Sequence, residues 1–223
     1  MNIAFIPART GSKRIPKKNK KFFLGKEMIL WPIDCLKEAD FIGDIYVSTD
    51  DQDIAEIANR SNVNVFHRSE KFADDYATSI DALWEFKNSV EIDFENIIMV
   101  YPTTPILHLD YLSKGLDIIT NNPDFSCLYT IKAFEHKIQR ALQLSASGAI
   151  NPLNNKIFFQ RTQDQDNAYF DAANFYIFNK KFFSDNSNSH LKSTYGMVLP
   201  RGITVFDIDD NDDWLEAEKY LLK

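Results

Sequence analysis

The chain has 223 residues and a mass of 25.8 kDa, enough for one α/β domain with a full core. Hydrophobic residues make up 44% and charged residues 26%, an ordinary globular balance, and no run of about 18 apolar residues offers a membrane span. The net charge of −7 argues against nucleic acid as a partner, although the N-terminal segment is locally basic through Arg9, Lys13, Arg14, Lys17, Lys18, Lys20, Lys21 and Lys26.

Met1-Asn2-Ile3-Ala4-Phe5 lacks the charged start and long apolar stretch of a secretory leader. Cys35 and Cys127 stand apart at no metal-ligand spacing. Together these lead to the expectation of a cytoplasmic protein with buried, reduced thiols. Ile3 to Pro7 then reads as a buried strand and Met28 to Ala39 as a helix. Asp44 to Ser48 predicts a second strand, followed by a helix over Asp51 to Arg60 entered through Thr49-x-x-Gln52. Val63 to Phe66 reads as a strand, Thr78 to Ser89 as a helix, Asn96 to Tyr101 as an apolar strand and Asp110 to Thr120 as a helix. This alternation predicts a Rossmann-like, mostly parallel sheet covered by helices on both faces. From about Phe125 the pattern breaks into short β-like pieces, Cys127 to Ile131, Ala141 to Leu144 and Asn174 to Phe178, between polar turns. Residues 134–172 read as a β-rich arm leaving a single domain of residues 1–223, and its crowded aromatic residues suit an interface. Ile203 to Asp209 predicts a last strand and Asn211 to Leu222 a closing helix.

Two segments carry chemistry. Ala8-Arg9-Thr10-Gly11-Ser12-Lys13, with Lys18 and Asn19 beyond it, follows the first strand, at the sheet edge where open α/β folds bind ligands. Gly11 allows close backbone approach, Ser12 adds a hydroxyl, and Arg9, Lys13 and Lys18 add charge suited to a triphosphate. Composition alone leaves a solvated basic loop equally open. Neither a Walker A loop nor Gly-x-Gly-x-x-Gly is present. In Asp207-Ile208-Asp209, strand alternation puts both carboxylates on one face, about 7 Å apart, where they repel unless a cation lies between them. Mg²⁺ suits such a pair, since it takes one or two carboxylates and completes its shell with water and phosphate. The alternative is an acidic strand end that caps the next helix, a task open to Asp210 and Asp212. His67, His108, His136 and His190 form no ligand-like or triad-like cluster.

Ile6-Pro7-Ala8-Arg9-Thr10-Gly11-Ser12-Lys13, Lys18-Asn19, Phe23-Leu24-Gly25-Lys26, Val47-Ser48-Thr49-Asp50-Asp51, Pro102-Thr103-Thr104-Pro105, Asp207-Ile208-Asp209 and Asp213-Trp214-x-x-Ala217-Glu218 together resemble the acylneuraminate cytidylyltransferases. Lys13-Arg14-Ile15-Pro16, Gln139-Arg140-Ala141-Leu142, Arg161-x-Gln163-Asp164 and Tyr169-x-Asp171-Ala172-x-x-Phe175-Tyr176 look like the pseudaminic acid branch. Tyr101 stands where sialic acid enzymes usually have a sugar-contacting Gln. Thr10 replaces the usual second Gly, and Ala173-Asn174 stands where the branch more often has Gly-Gln.

The resemblance implies transfer of CMP from CTP to a nine-carbon acidic sugar, with Mg²⁺, by a homodimer whose arms cross to the neighbouring subunit. The anomeric hydroxyl would attack the α-phosphorus in line and release pyrophosphate, stabilised by Arg9 and Lys18. Ala8, Arg9, Gly11, Ser12, Lys13, Lys18 and Asn19 would hold the triphosphate, and Arg68 and Thr78 would flank cytosine and ribose. Asp207 and Asp209 would hold the metal. Tyr101, Thr103, Gln139, Arg140, Arg161 and Gln163 are the sugar candidates, Arg161 as a residue supplied in trans. Legionaminic, sialic or 3-deoxy-manno-octulosonic acid are the alternative sugars, and a non-catalytic nucleotide binder is the alternative of another class.

Overall fold

The first strand shows why a parallel sheet forms. Ile3 and Phe5 pack on one face, Ala4 and Ile6 on the other, and all four are fully buried, as a strand covered on both sides requires. The computed structural model describes residues 1–74, 76–184 and 193–223. β1 (Asn2–Pro7) leads into the small hairpin β2 (Phe22–Phe23) and β3 (Lys26–Glu27), whose turn residues Leu24 and Gly25 both have positive φ. Then come α1 (Leu30–Lys37), β4 (Asp44–Thr49), α2 (Gln52–Arg60), β5 (Asn64–His67), α3 (Ser79–Ser89), β6 (Asn96–Met99) and α4 (Leu109–Asn121).

The second half comprises β7 (Cys127–Ala133), the hairpin β8 (Leu142–Leu144) and β9 (Ile150–Pro152), α5 (Asn155–Phe158), β10 (Tyr169–Asn179), α6 (Lys180–Ser184), β11 (Thr194–Val198) and α7 (Asn211–Leu221). Seven strands form one sheet in the order β11-β7-β10-β6-β1-β4-β5. β10 runs antiparallel to both of its neighbours, and every other pairing in that sheet is parallel. The expected α/β architecture is therefore present. Among the described residues no helix is long and apolar enough to cross a membrane.

Three packed clusters hold the elements. One joins α1, α2 and α4 to the sheet through Ile33, Ile57, Leu116 and Ile177. A second, rich in aromatic rings, sets Phe86 of α3 and Phe182 of α6 against Phe5 and Phe178. The third lies off the sheet: Ile15, Phe23, Met28, Ile208, Trp214 and Ala217 clamp α7 to the segment after β1. That cluster brings the chain end beside the N-terminal loop.

Several sequence expectations change in detail. α2 is capped by Asp51, whose carboxylate accepts from the Asp53 and Ile54 N–H groups, rather than by Thr49, whose hydroxyl accepts from Asp51 N–H. Ile203 to Asp209 is not a strand, because the buried Ile208 packs into the third cluster and the segment pairs with no strand. Asp210 caps α7 in a capping box with Asp213. Cys127 is buried and Cys35 half-buried, neither is in a disulfide, and burial pushes the Cys35 thiol up to about 11. His67 and His136 are exposed, His108 Nε2 lies 2.7 Å from the Thr204 carbonyl, and His190 falls outside the described residues.

β10 carries a bulge. Its register with β7 shifts between Asp171 and Tyr176, and Ala173 sits at φ 50°, a left-handed conformation costly for an L residue. For Ala173→Gly, relief of about 1–2 kcal/mol is offset by a lost buried methyl and a looser unfolded chain, so stability stays nearly unchanged. Ala173→Val, branched at Cβ, is expected to lose about 2 kcal/mol or more, lowering the melting temperature by at least ~4 °C. Equal melting temperatures for the Gly and Val variants in a thermal scan contradict strain at this position.

Candidate active site

The carboxyl ends of β1, β4 and β6 lie side by side, and the chain after β1, β5 and β6 contributes to a shared cavity of about 550 Å³. Arg9, Gly11, Ser12, Lys13, Lys18 and Asn19 line one wall. The loop that carries them is tied down from below. Ala8 is fully buried and lies outside the lining; its N–H donates to the Ser48 carbonyl at 2.8 Å. Asn19 donates to the Arg9 carbonyl at 3.0 Å, and the buried Ile15 anchors the loop in the third cluster. The Arg9 guanidinium donates to the Asp74 carbonyl, joining the loop to the segment before α3.

Thr10, where a glycine is usual in the resembled pattern, gives its N–H and its hydroxyl to the two oxygens of Asp50, at 2.9 and 2.7 Å. The side chain thus adds a second bond to a contact that the backbone alone would make. In the sequence Ser48-Thr49-Asp50-Asp51 reads most simply as a helix N-cap lying near the nucleotide edge; in the fold Asp50 anchors the loop instead. Lys20, basic like its neighbours, is a structural residue: its ammonium bridges Asp51 and Asp53 at 2.6 Å each.

The facing wall is built from Arg68, Thr78, Tyr101 and Thr103. Arg68 is buried, and its guanidinium donates to the Ser48 hydroxyl and carbonyl at 3.1 and 3.0 Å. Burial pushes it down to about 10, against the opposing charges of Asp50 and Glu85. Thr78 caps α3, and its hydroxyl is shared with the Asp81 carboxylate and N–H. What it presents to the cavity is the start of a helix, where backbone N–H groups favour anions.

Asp207 and Asp209 close the cavity. Ile208 between them points into the third cluster, so both carboxylates face the ligand side although the segment is no strand. Asp209 pairs with Arg14 at 2.8 Å and with Lys18 at 3.7 Å, and Lys18 also donates to the Ile208 carbonyl. Arg14 is a residue that sequence reasoning did not single out; it was one cation among many in a basic run. Burial pushes the Lys18 ammonium down, and Asp209 and Asp207 oppose that. Crowding by the chain pushes the Asp207 carboxyl up although its outer face stays exposed, and Asp209 adds to the shift. Two neighbouring carboxylates beside a cationic loop suit one hard cation shared with phosphate oxygens. Among the described residues no group of three or more His, Cys, Asp or Glu side chains forms a metal cluster, so a cation here would complete its shell from substrate and water.

The arm residues lie elsewhere in the chain. Gln139 donates to the Asp166 carbonyl at 3.0 Å, Arg140 lies over Phe158 and donates to the Gln160 carbonyl at 3.1 Å, and Arg161 pairs with Asp164 at 3.9 Å. Arg161 and Gln163 border a separate open hollow with Lys137. Within one chain none of these four lines the cavity.

Comparison with known proteins places the sequence in a family. The sequence profile of the family described as Cytidylyltransferase matches residues 3–197. The chain belongs to that family. A pseudaminic acid cytidylyltransferase of Campylobacter jejuni subsp. jejuni serotype O:23/36 (strain 81-176) is 34% identical to this cytidylyltransferase over 230 residues, covering 100% of this chain and 96% of the relative. An N-acylneuraminate cytidylyltransferase of Oncorhynchus mykiss is 29% identical, over 99% of this chain and 50% of the relative. A solved CMP:2-keto-3-deoxy-manno-octonic acid synthetase complexed with CTP superimposes with a TM-score of 0.73 over 99% of this chain and 98% of that one, at 14% identity, a likeness of fold.

Proposed function

We propose that this cytidylyltransferase transfers CMP from CTP to the anomeric hydroxyl of a nine-carbon acidic sugar, with pseudaminic acid as its substrate. The observation that carries the reading is the convergence of the Arg9–Asn19 loop, Arg68 and the Asp207–Asp209 pair on one cavity. Likeness to the Campylobacter enzyme over the whole chain supports the sugar, as does Tyr101 in the cavity wall.

In this reading Arg9, Ser12, Lys13 and Asn19 bind the triphosphate, with Gly11 letting the backbone approach. Lys18 and Arg9 stabilise the charge that grows on the leaving pyrophosphate. Arg68 and the start of α3 flank the nucleoside, and Tyr101 and Thr103 meet the sugar. Asp207 and Asp209 would hold Mg²⁺, which when bound supplies charge neutralisation at the α-phosphate. Apolar Leu144, Ile150, Leu153 and Phe159 are exposed on the arm, which supports a homodimer in which each arm brings Gln139, Arg140, Arg161 and Gln163 to the partner's cavity. The chemistry is that of a cytoplasmic enzyme, since CTP is its donor.

The test is pyrophosphate release from CTP and Mg²⁺ with pseudaminic, legionaminic, sialic and 3-deoxy-manno-octulosonic acids supplied separately. Pseudaminic acid is expected to lead by about a hundredfold in kcat/KM, about 2.7 kcal/mol of discrimination. Preference for another acid keeps the transfer and replaces the sugar. Binding of CTP without release from any acid leaves a nucleotide binder.

A further inference from the structure

The segment that carries the two carboxylates makes no strand pairing among the described residues, so its backbone carbonyls need partners from elsewhere. After β11 the chain turns at Pro200, whose carbonyl accepts the Ile203 N–H at 3.0 Å, and then runs half-buried from Ile203 to Phe206. Three side chains from distant parts of the sequence meet the carbonyls of this segment. Lys132 of β7 donates to the Ile203 carbonyl at 2.6 Å, and Lys18 donates to that of Ile208. His108, just before α4, lies with Nε2 2.7 Å from the Thr204 carbonyl. A carbonyl oxygen only accepts, so Nε2 carries the proton and is the donor.

His108 is itself held. Asn174, 1% exposed within the β10 bulge, donates to the Ile106 carbonyl at 2.7 Å, and its Oδ1 receives the His108 N–H more loosely, at 3.5 Å. The amide thus fixes the backbone on which the imidazole stands. The ring meets Tyr111 edge-on, with centroids 6.2 Å apart.

The other end of the segment is fastened by packing and by α7. Phe206 and Ile208 enter the third cluster, and Asp213 accepts the Asp209 and Asp210 N–H groups at 2.8 and 3.1 Å. Thr204 stands three residues before Asp207, at most about 10 Å away along an extended backbone. Neither His108 nor Lys132 lines the cavity, so both reach a ligand only through this backbone. We infer that His108 and Lys132 are positioning residues: by gripping the Thr204 and Ile203 carbonyls they set where Asp207 and Asp209 stand, and with that the cation affinity of the nucleotide-loaded site. Mg²⁺ demands near-ideal octahedral geometry, and slack in the backbone that carries its carboxylates falls directly on that geometry. Removing either donor also leaves a half-buried carbonyl without its partner, which loosens the segment. The inference rests on the proposed metal role of Asp207 and Asp209.

The test is calorimetric titration of CTP into the protein, once in EDTA and once in excess Mg²⁺, alongside thermal scans. His108→Phe keeps a ring against Tyr111 and removes the donor. It is expected to bind CTP in EDTA within about twofold of the unmodified protein, and the Mg²⁺ complex about tenfold more weakly, the lower end of what groups that orient metal ligands contribute. His108→Gln keeps an N–H donor at similar reach and should restore the affinity for the Mg²⁺ complex to within about threefold. Lys132→Met keeps the length and apolar stem of its side chain, and serves as the independent variant should His108→Phe fold poorly, with a loss in the same direction. Unchanged affinity for the Mg²⁺ complex in His108→Phe and Lys132→Met, equal weakening in EDTA and in Mg²⁺, or equal losses in the Phe and Gln variants would overturn the positioning role and leave the metal reading intact. If Mg²⁺ does not raise the affinity of the unmodified protein for CTP, the metal role of Asp207 and Asp209 falls and this inference with it.

Discussion

Asp207→Asn is expected to trade activity for stability. Loss of one of the two carboxylates that would hold the metal should lower kcat by about 10²–10³-fold, the range seen when one electrostatic stabiliser is removed. The stability effect has the opposite sign. Crowding by the chain and the nearby Asp209 raise the Asp207 carboxyl in the folded chain above its unfolded value, so its charge works against folding at neutral pH. Asparagine removes that charge, and the melting temperature without ligands should rise at pH 7. The gain should vanish as pH falls through the carboxylate range, where the native aspartate is itself protonated. Thermal scans at pH 7 and pH 4 with pyrophosphate release at pH 7 check both halves. Turnover within a few-fold of the unmodified enzyme would remove Asp207 from the metal role.

The second large effect is expected at Lys18. Its ammonium is mostly enclosed, held by the Ile208 carbonyl and 3.7 Å from Asp209, so its position is set before substrate arrives. Lys18→Met keeps the length and apolar stem but removes the charge where pyrophosphate would leave. A fall in kcat/KM for CTP of about 10²–10³-fold is expected, with the fold retained. Lys18→Arg should recover little, because a planar guanidinium cannot occupy the point where an ammonium meets one carbonyl and one carboxylate. Near-normal kcat/KM in Lys18→Met, with circular dichroism unchanged, would place the cation's work on Arg9 or Lys13.

What could be read in advance depended on what each residue type must do. β1, β4 and β6 were legible because strands buried on both faces become apolar runs, as Ile3-Ala4-Phe5-Ile6 shows. β11 was not. Thr194-Tyr195-Gly196 sits at the sheet edge, where alternation is weak and a glycine reads as a turn. The Asp207-Ile208-Asp209 alternation gave the correct facing of the carboxylates for an incomplete reason, since packing of Ile208 and not strand pairing orients them. Arg68 and Thr78 came from family likeness; no local pattern links them to residues at the other end of the chain. Asp50 shows the converse: its role exists only when β1 and β4 lie side by side and Thr10 meets its carboxylate.

The place of β10 also bears on how the chain assembles during synthesis. β10 is the strand that fills the gap between β6 and β7, yet β6 ends at Met99 and β10 begins only at Tyr169. While the ribosome makes the intervening segment, Ile97, Ile98 and Met99 present an apolar edge that nothing in the emerged chain covers. Closure of the sheet is thus a late, non-local step that waits for Tyr176 to Asn179, and loop-closure entropy makes such steps slow. The bulge lies in that same late strand, and the third cluster, which fastens the loop after β1 to Ile208, Trp214 and Ala217, forms later still, so the N-terminal loop is made first and fixed last.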